Sequence, residues 1–371
     1  MYGVARKRAD LLKLSLVTSA AMLAICLLAL AETTNTAQAK DSLPQDSKIV
    51  FGYIEGLTAD EAYIYTVNPD GSSLSRLAKG ATAPAWSPDG TKIAYNSFAQ
   101  TPQIGVMDAD GSSKRKLTVS DPSPNVSDVP SREPGFMEPT WSPDGTQLAF
   151  STSTPTENII PDIYTSDADG SDLTNITKSS EEWESAPDFS PNGSQMCFSG
   201  GNLKIGFGIY IMNSDASNPT RLVGDESPYR LYSDCDWSPD GTKIAYTYNP
   251  ESGGNVGYGD VYVMNADGSG KTKLTKSPDD EVDPSWAPDG TKIAFSSDRE
   301  YDYDIYTMDA DGSDVAQVTN LPGDEVLPDW QPLPGTTVHQ PDTGGPSLIL
   351  VVSALLLSGS VMFYAGLKRR M

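Results

Sequence analysis

The side chains of this chain most able to do chemistry are carboxylates. Glu184, Glu281 and Glu325 each stand five residues before a large aromatic residue, Phe189, Trp286 and Trp330. Such spacing puts them at equivalent places if the chain repeats around an axis. They are then expected to form a partial acidic ring at the mouth of a central channel, where summed charge attracts a cation or a basic patch of a partner. Asp234, Asp283, Asp298 and Arg299 lie in the same family of loops and complete the candidate binding face. Carboxylates also open an enzymatic alternative, an extracellular hydrolase or lyase. That chemistry needs two of them to converge in an apolar surround that shifts one pKa. The sequence pairs no two of them, so a binding or scaffold role ranks first and no catalytic residue is named.

Other chemistries fall away. The single histidine, His339, excludes histidine-based catalysis and His-rich metal sites. A formal net charge of −24 excludes a general nucleic-acid binder, because phosphates need a basic surface. Asp167, Asp169 and Asp172, or Asp309, Asp311 and Asp314, are spaced like oxygen-ligand loops for calcium. The turn recurs with Asn68 or Asn265 in the first place, and Lys178 stands where a bidentate glutamate would be needed, so these read as structural turns and no cofactor is implied. Gly268-Ser269-Gly270-Lys271-Thr272 imitates the end of a phosphate-binding loop, but Asn265 occupies the place of the upstream glycine. Cys197 and Cys235 are the cysteines left once a leader is removed. A secreted context permits a disulfide between them, and two buried free thiols are the alternative.

The elements that position these residues come from a repeat. One phrase occurs at 83–95 (APAWSPDGTKIAY), 138–150, 186–198, 234–246 and 283–295, with a half-copy, LPDWQPLPG, at 327–335. Its anchors are Trp86, Trp141, Phe189, Trp237, Trp286 and Trp330, spaced 55, 48, 48, 49 and 44 residues apart. A second phrase, such as DIYTMDADGS at 304–313, follows in each period. Four short strands of alternating apolar residues per period, with no helical spacing, are the mark of a β-propeller. In Ser-Pro-Asp-Gly, proline presets its φ and glycine accepts the positive φ that branched residues refuse. The series opens on a second-strand phrase at Lys48-Ile49-Val50-Phe51 and closes on an inner-strand phrase, Leu327 to Trp330. The C-terminal strand therefore completes the N-terminal blade, which makes six closed four-stranded blades and removes sheet edges. Stereotyped turns gather at one end of the ring. Variable loops gather at the other, among them Val119–Met137, Asn249–Asp260 (with Tyr258) and Asp298–Tyr303. Binding usually lives on such variable loops.

The PxWSPDGxKIAF and DIYxMDADGS phrases resemble the repeat of TolB-type six-bladed propellers over about residues 47–332. The resemblance implies the all-β fold. TolB carries an α/β domain ahead of its propeller, for which this chain leaves no room. Peptidases that pair such a propeller with a hydrolase domain need a Gly-x-Ser-x-Gly elbow that is missing here. Neither role is carried over.

Both ends read as address labels. Arg6, Lys7, Arg8 and Lys13 precede an apolar run from Leu14 to Leu30, followed by Ala37-Gln38-Ala39, the pattern of a helical signal peptide over 1–39, with cleavage after 31 as the alternative. Ile25 ahead of Cys26 argues against a lipoprotein signal. Residues 40–46 form a linker. Near the other end, 347–371 hold an apolar stretch, Leu348 to Leu367, and then Lys368, Arg369 and Arg370, as in a transmembrane helix with a cytoplasmic basic tail. The linker 333–346 contains Gln340-Pro341-Asp342-Thr343-Gly344. Pro-x-Thr-Gly, an apolar span and a basic tail resemble the sorting signal of Gram-positive cell-wall proteins. The resemblance implies a sortase cut between Thr343 and Gly344, although leucine is usual where Gln340 stands. The expected partners are thus sortase, the membrane before processing, and a protein or cationic ligand outside the cell. The ends remove seven basic and two acidic groups, so the −24 of the whole chain deepens to −29 for residues 40–343.

Overall fold

The computed structural model describes residues 47–56, 61–97, 103–117, 135–153, 160–179, 181–227, 229–252 and 255–333. The proposed signal peptide, the sorting motif, the apolar C-terminal run and most of the Val119–Met137 loop lie outside them. Six four-stranded antiparallel sheets stand around an axis. Their innermost strands are Asp324–Trp330 (blade 1), Ala81–Trp86 (blade 2), Gly135–Trp141 (blade 3), Trp183–Phe189 (blade 4), Leu231–Trp237 (blade 5) and Glu281–Trp286 (blade 6). Blade 1 is assembled from both ends of the repeat. Ile49–Ile54 pairs with Asp324–Trp330, with Ile49 opposite Trp330 and Ile54 opposite Asp324. The Gln331 N–H donates to the Lys48 carbonyl at 2.8 Å, beside that seam.

Each aromatic anchor fills the junction with the preceding blade. Trp86 packs with Val50, Ile64 and Ile93 between blades 1 and 2, and Trp286 with Val261, Val263 and Phe295 between blades 5 and 6. All six anchors are buried. At roughly 25 cal/mol per Å², each large ring contributes roughly 4–6 kcal/mol. Second strands such as Lys92–Ser97 carry apolar residues on both faces because each blade is covered on both sides. Outer strands are short and charged, Arg115–Lys116 and Thr272–Lys273 for example, which discourages pairing with another chain.

The turns are knotted by their own aspartates. Asp89 Oδ1 accepts from the Ser87 hydroxyl at 2.6 Å, the Thr91 N–H at 3.0 Å and the Thr91 hydroxyl at 2.8 Å. In the other turn type, Asp311 Oδ1 accepts from the Ser313 N–H at 2.9 Å and its hydroxyl at 2.6 Å. Gly312 in that turn has φ 85°, and a Cβ there would lie 2.7 Å from the Leu274 carbonyl of the blade before. The phosphate-loop imitation at 268–272 is the same turn of blade 5, between Asp260–Asn265 and Thr272–Lys273.

One irregularity recurs on every inner strand. Ala83, Glu138, Ala186, Asp234, Asp283 and Leu327, three residues before each anchor, all take positive φ, between 46° and 56°. The pairing register shifts there, for example between Val282 and Ser285. Pro84, Pro139, Pro187, Pro284 and Pro328 follow in five blades, and Cys235 stands in that place in blade 5. A bulge re-aims side chains, and these six bulges decide what faces the axis.

Candidate functional site

The axis holds a cavity of about 140 Å³ walled by the three residues before each anchor. Two tiers of carboxylates line it. Glu138, Asp234 and Asp283 come from the bulge position, and Asp188, Asp236 and Asp329 from the position just before the anchor. Most of them tie one blade to the next. Asp329 Oδ2 accepts the Trp86 N–H at 2.6 Å, Asp236 Oδ2 the Trp286 N–H at 2.6 Å, and Asp188 Oδ2 the Trp237 N–H at 3.1 Å. In the other tier Glu138 Oε2 accepts the Ala186 N–H at 3.1 Å, and Asp283 Oδ2 the Leu327 N–H at 3.2 Å. Second-strand hydroxyls brace them, Ser151 on Glu138 at 2.9 Å and Ser296 on Asp283 at 3.1 Å.

Enclosure by protein on all sides raises every one of these pKa values. Burial, then the neighbouring Asp234, pushes Asp283 up to about 8. Burial brings Asp329 to about 7 and Asp188 to about 6. Asp236 is held well above the usual range by burial and then by Asp188 and Asp329. Glu138 and Asp234 are raised by burial as well. Like charges this close resist ionising together.

Of the expected face, Asp234 and Asp283 enter the channel, and the three glutamates do not form a ring at its mouth. Glu325 turns back onto the preceding blade, where the hydroxyl of Thr319, two residues past the outer strand, donates to it and the Leu321 N–H donates to its Oε1 at 2.8 Å. Thr275 and Thr177 hold the matching places near Glu281 and Glu184, and the Thr275 hydroxyl donates to Asp260 at 3.4 Å. The same threonine oxygens accept backbone N–H groups, from Ile305 at 2.9 Å, Val261 at 3.0 Å and Ile163 at 3.0 Å. Glu281 and Glu325 are wholly buried, and burial lifts Glu325 and Glu184 to about 7. Glu325 is thus a clasp between blades 6 and 1. Arg299 is also withdrawn from the surface: it donates to Glu281 Oε1 at 3.1 Å and lies 4.4 Å from the Tyr306 ring centroid. Asp298 Oδ1 accepts the Asp280 N–H at 2.7 Å and ties its loop to the one that leads into the inner strand Glu281–Trp286. Sequence reasoning missed Glu138, Asp188, Asp236 and Asp329. The recurring aspartate just before the anchor, in APDF, DCDW and LPDW, was the available signal.

Cys197 and Cys235 form a disulfide across blades 4 and 5, with their Cα atoms 6.3 Å apart. Asp169 and Asp311, candidates for calcium loops by spacing, each accept the hydroxyl and N–H of the serine two residues on. The variable end differs from the turn end in what it displays. Among the described residues Trp183, Leu203, Ile205, Tyr229, Tyr258 and Tyr301 are exposed there, on blades 4, 5 and 6.

The TolB beta propeller domain family, PD40, matches residues 235–353. Among solved structures, TolB from Acinetobacter baumannii superposes with a TM-score of 0.65 at 22% identity, covering 80% of this chain and 70% of that one. A putative TolB from Agrobacterium tumefaciens gives a TM-score of 0.54 at 21% identity, over 77% of this chain and 99% of the other. A chain of a nidogen/laminin complex gives 0.57 at 10% identity, over 78% and 99%. At such identities the likeness is one of fold, and the chain is a six-bladed β-propeller of four-stranded antiparallel blades with a TolB beta propeller domain match in its C-terminal part.

Proposed function

We propose that this protein is a secreted, surface-anchored propeller that binds a protein or cationic ligand through its variable loop face and acts as a scaffold module. One observation carries the reading. The turn end spends its polar groups on its own turns, whereas the opposite end exposes large aromatic and aliphatic side chains, Tyr301 at 97% and Leu203 at 70% among them. Surfaces that monomers do not need to expose mark contact sites. The leader over 1–39 and the Gln340–Gly344 signal supply export and anchoring, with sortase joining Thr343 to the wall. From Trp330 to Thr343 there are 13 residues, an extended reach of at most about 45 Å.

Photocrosslinking residues placed at Tyr258 and Leu203, and at Asp89 and Asp311 on the turn end, test the face in the cells that make the protein. Adducts confined to the first pair are expected; adducts confined to the second pair defeat the reading. Fractionation of Thr343→Ala tests the anchor. Wild type in the wall and the variant in the membrane is the expected result, and equal membrane retention rejects sortase processing.

A second reading draws on the channel. Six carboxylates converge there, and burial raises Asp283 to about 8 and Asp329 to about 7; carboxyls that keep a proton near neutral pH can act as acids, which suits a hydrolase or lyase. Turnover of an oligosaccharide that Asp283→Asn and Asp234→Asn abolish without unfolding the ring would favour it.

A further inference from the structure

We propose that the variable face of blades 4 to 6 docks a lysine- and arginine-rich protein segment, whose cationic side chains lie on exposed aromatic rings set among carboxylates. The inference rests on the reading of that face as the contact surface and names its partner.

Among the described residues, the large hydrophobic side chains exposed at this end stand on blades 4, 5 and 6; Leu74 and Val315, also exposed, follow turns at the opposite end. The Trp183 ring is held by a neighbour. Trp183 is half exposed and rests on Phe207, their centroids 5.9 Å apart. The hairpin tip beside it extends the longest strands of the fold, Gln195–Asn202 and Gly206–Asn213. Arg221 pins that tip through bonds to the carbonyls of Phe207 at 2.9 Å and Asp225 at 2.6 Å. Tyr301 sits at φ 93°, a conformation bulky L-residues rarely take, and is almost fully exposed. Its N–H donates to the Asp298 carbonyl at 2.9 Å, and Tyr303 behind it is tied to Asp280. Strain kept at an exposed aromatic signals a presented contact residue.

Charge chooses the occupant. Glu181 and Glu182 precede Trp183, Glu300 and Asp302 flank Tyr301, and Asp279 and Asp324 lie in neighbouring loops. Two basic groups nearby are already engaged: Lys204 pairs with Glu181 at 3.4 Å and Arg230 with Asp225 at 3.0 Å. A ring face attracts a cation, arginine above all, and carboxylates around it add a second attraction. A neutral glycan would gain stacking and hydrogen bonds to the carboxylates but no attraction between net charges. An anionic lipid surface, or a second copy of this chain with its net charge of −24, would be repelled.

The test uses the full chain in detergent with fluorescent deca-arginine. Decaglutamate, a chitin hexamer and phosphatidylglycerol vesicles serve as comparators. Deca-arginine is expected to bind with an affinity that falls as salt rises. Trp183→Ala with Tyr301→Ala should weaken it about tenfold with Tm unchanged. Tyr301→Phe should restore Tyr301's share, and Glu300→Gln with Asp302→Asn should flatten the salt dependence. Equal affinity in wild type and the double aromatic variant overturns the proposal and leaves only diffuse acidic attraction. Aromatic-dependent binding of the chitin hexamer or the vesicles, with none of deca-arginine, overturns the partner class while the contact face stands. Adducts on the turn end alone, in the crosslinking experiment above, defeat the face itself.

Discussion

Asp283 and Asp311 are the same residue type two strands apart, and their surroundings pull them in opposite directions. Burial raises Asp283 to about 8, whereas the hydroxyl and N–H of Ser313 hold Asp311 below the usual carboxylate range. The two kinds of aspartate set opposite slopes of stability with pH. A carboxyl raised on folding keeps its proton in the native state while the unfolded chain gives it up. Its contribution is therefore full below about pH 4 and lost as pH rises through the folded value. Asp188, Asp329 and Asp283 place that loss between about 4 and 8. The turn aspartates Asp110, Asp169, Asp215 and Asp267, lowered by the serine two residues on, contribute above about pH 4 and lose it in stronger acid. Tm is accordingly expected to peak near pH 5 and decline towards pH 8. Asp283→Asn keeps an acceptor for the Leu327 N–H and should flatten that decline. Thermal scans across pH check this, and a Tm that climbs steadily from pH 5 to pH 8 contradicts it.

At the scale of elements, turns and inner strands were unequally legible. Strand order, blade closure and both turn types could be read from the sequence, because they rest on local alternation and on proline, aspartate and glycine at fixed places. The channel could not. Its tiers depend on a bulge at Ala83, Glu138, Ala186, Asp234, Asp283 and Leu327, residues that share no side-chain type and carry no glycine to announce positive φ. Placing Glu184, Glu281 and Glu325 at the channel mouth followed their spacing but missed their burial at the blade junctions, where Thr319, six residues upstream of Glu325, donates to it and Arg299 donates to Glu281. Blade 4 offers a natural comparison for the turns. Ala216, at φ 62°, occupies the place of Gly312 in blade 6. Gly312→Ala should cost about 2 kcal/mol or more, through left-handed strain and the contact with the Leu274 carbonyl. Ala216→Gly should change stability by less than about 1 kcal/mol, since relief of strain offsets the loss of a methyl packed near Ile176. Chemical denaturation of both variants measures the difference.

The whole molecule is closed twice. Strand Asp324–Trp330 closes the ring by hydrogen bonds, and Cys197–Cys235 closes the junction of blades 4 and 5 covalently, where cysteine replaces the proline of the other inner strands. The cross-link spans 38 residues, which in the chain-entropy account contributes about 4 kcal/mol. Cys235→Ala, or reduction of the wild type, should lower Tm without adding a second transition. Deleting residues 324–371 should do more. It bares the edge of Ile49–Ile54, removes Leu327 and Asp329 from the channel wall, and is expected to replace a single cooperative transition with a broad one and dye-binding surface. A chain ending at 333 should retain the single transition. The bond from Gln331 to Lys48 has one more consequence, which concerns orientation. The chain enters and leaves the ring side by side at the turn end, so the anchor proposed above would draw on one pole of the propeller. Trp183, Tyr258 and Tyr301 stand at the other pole, where the proposed partner would meet them without competing for space with that attachment.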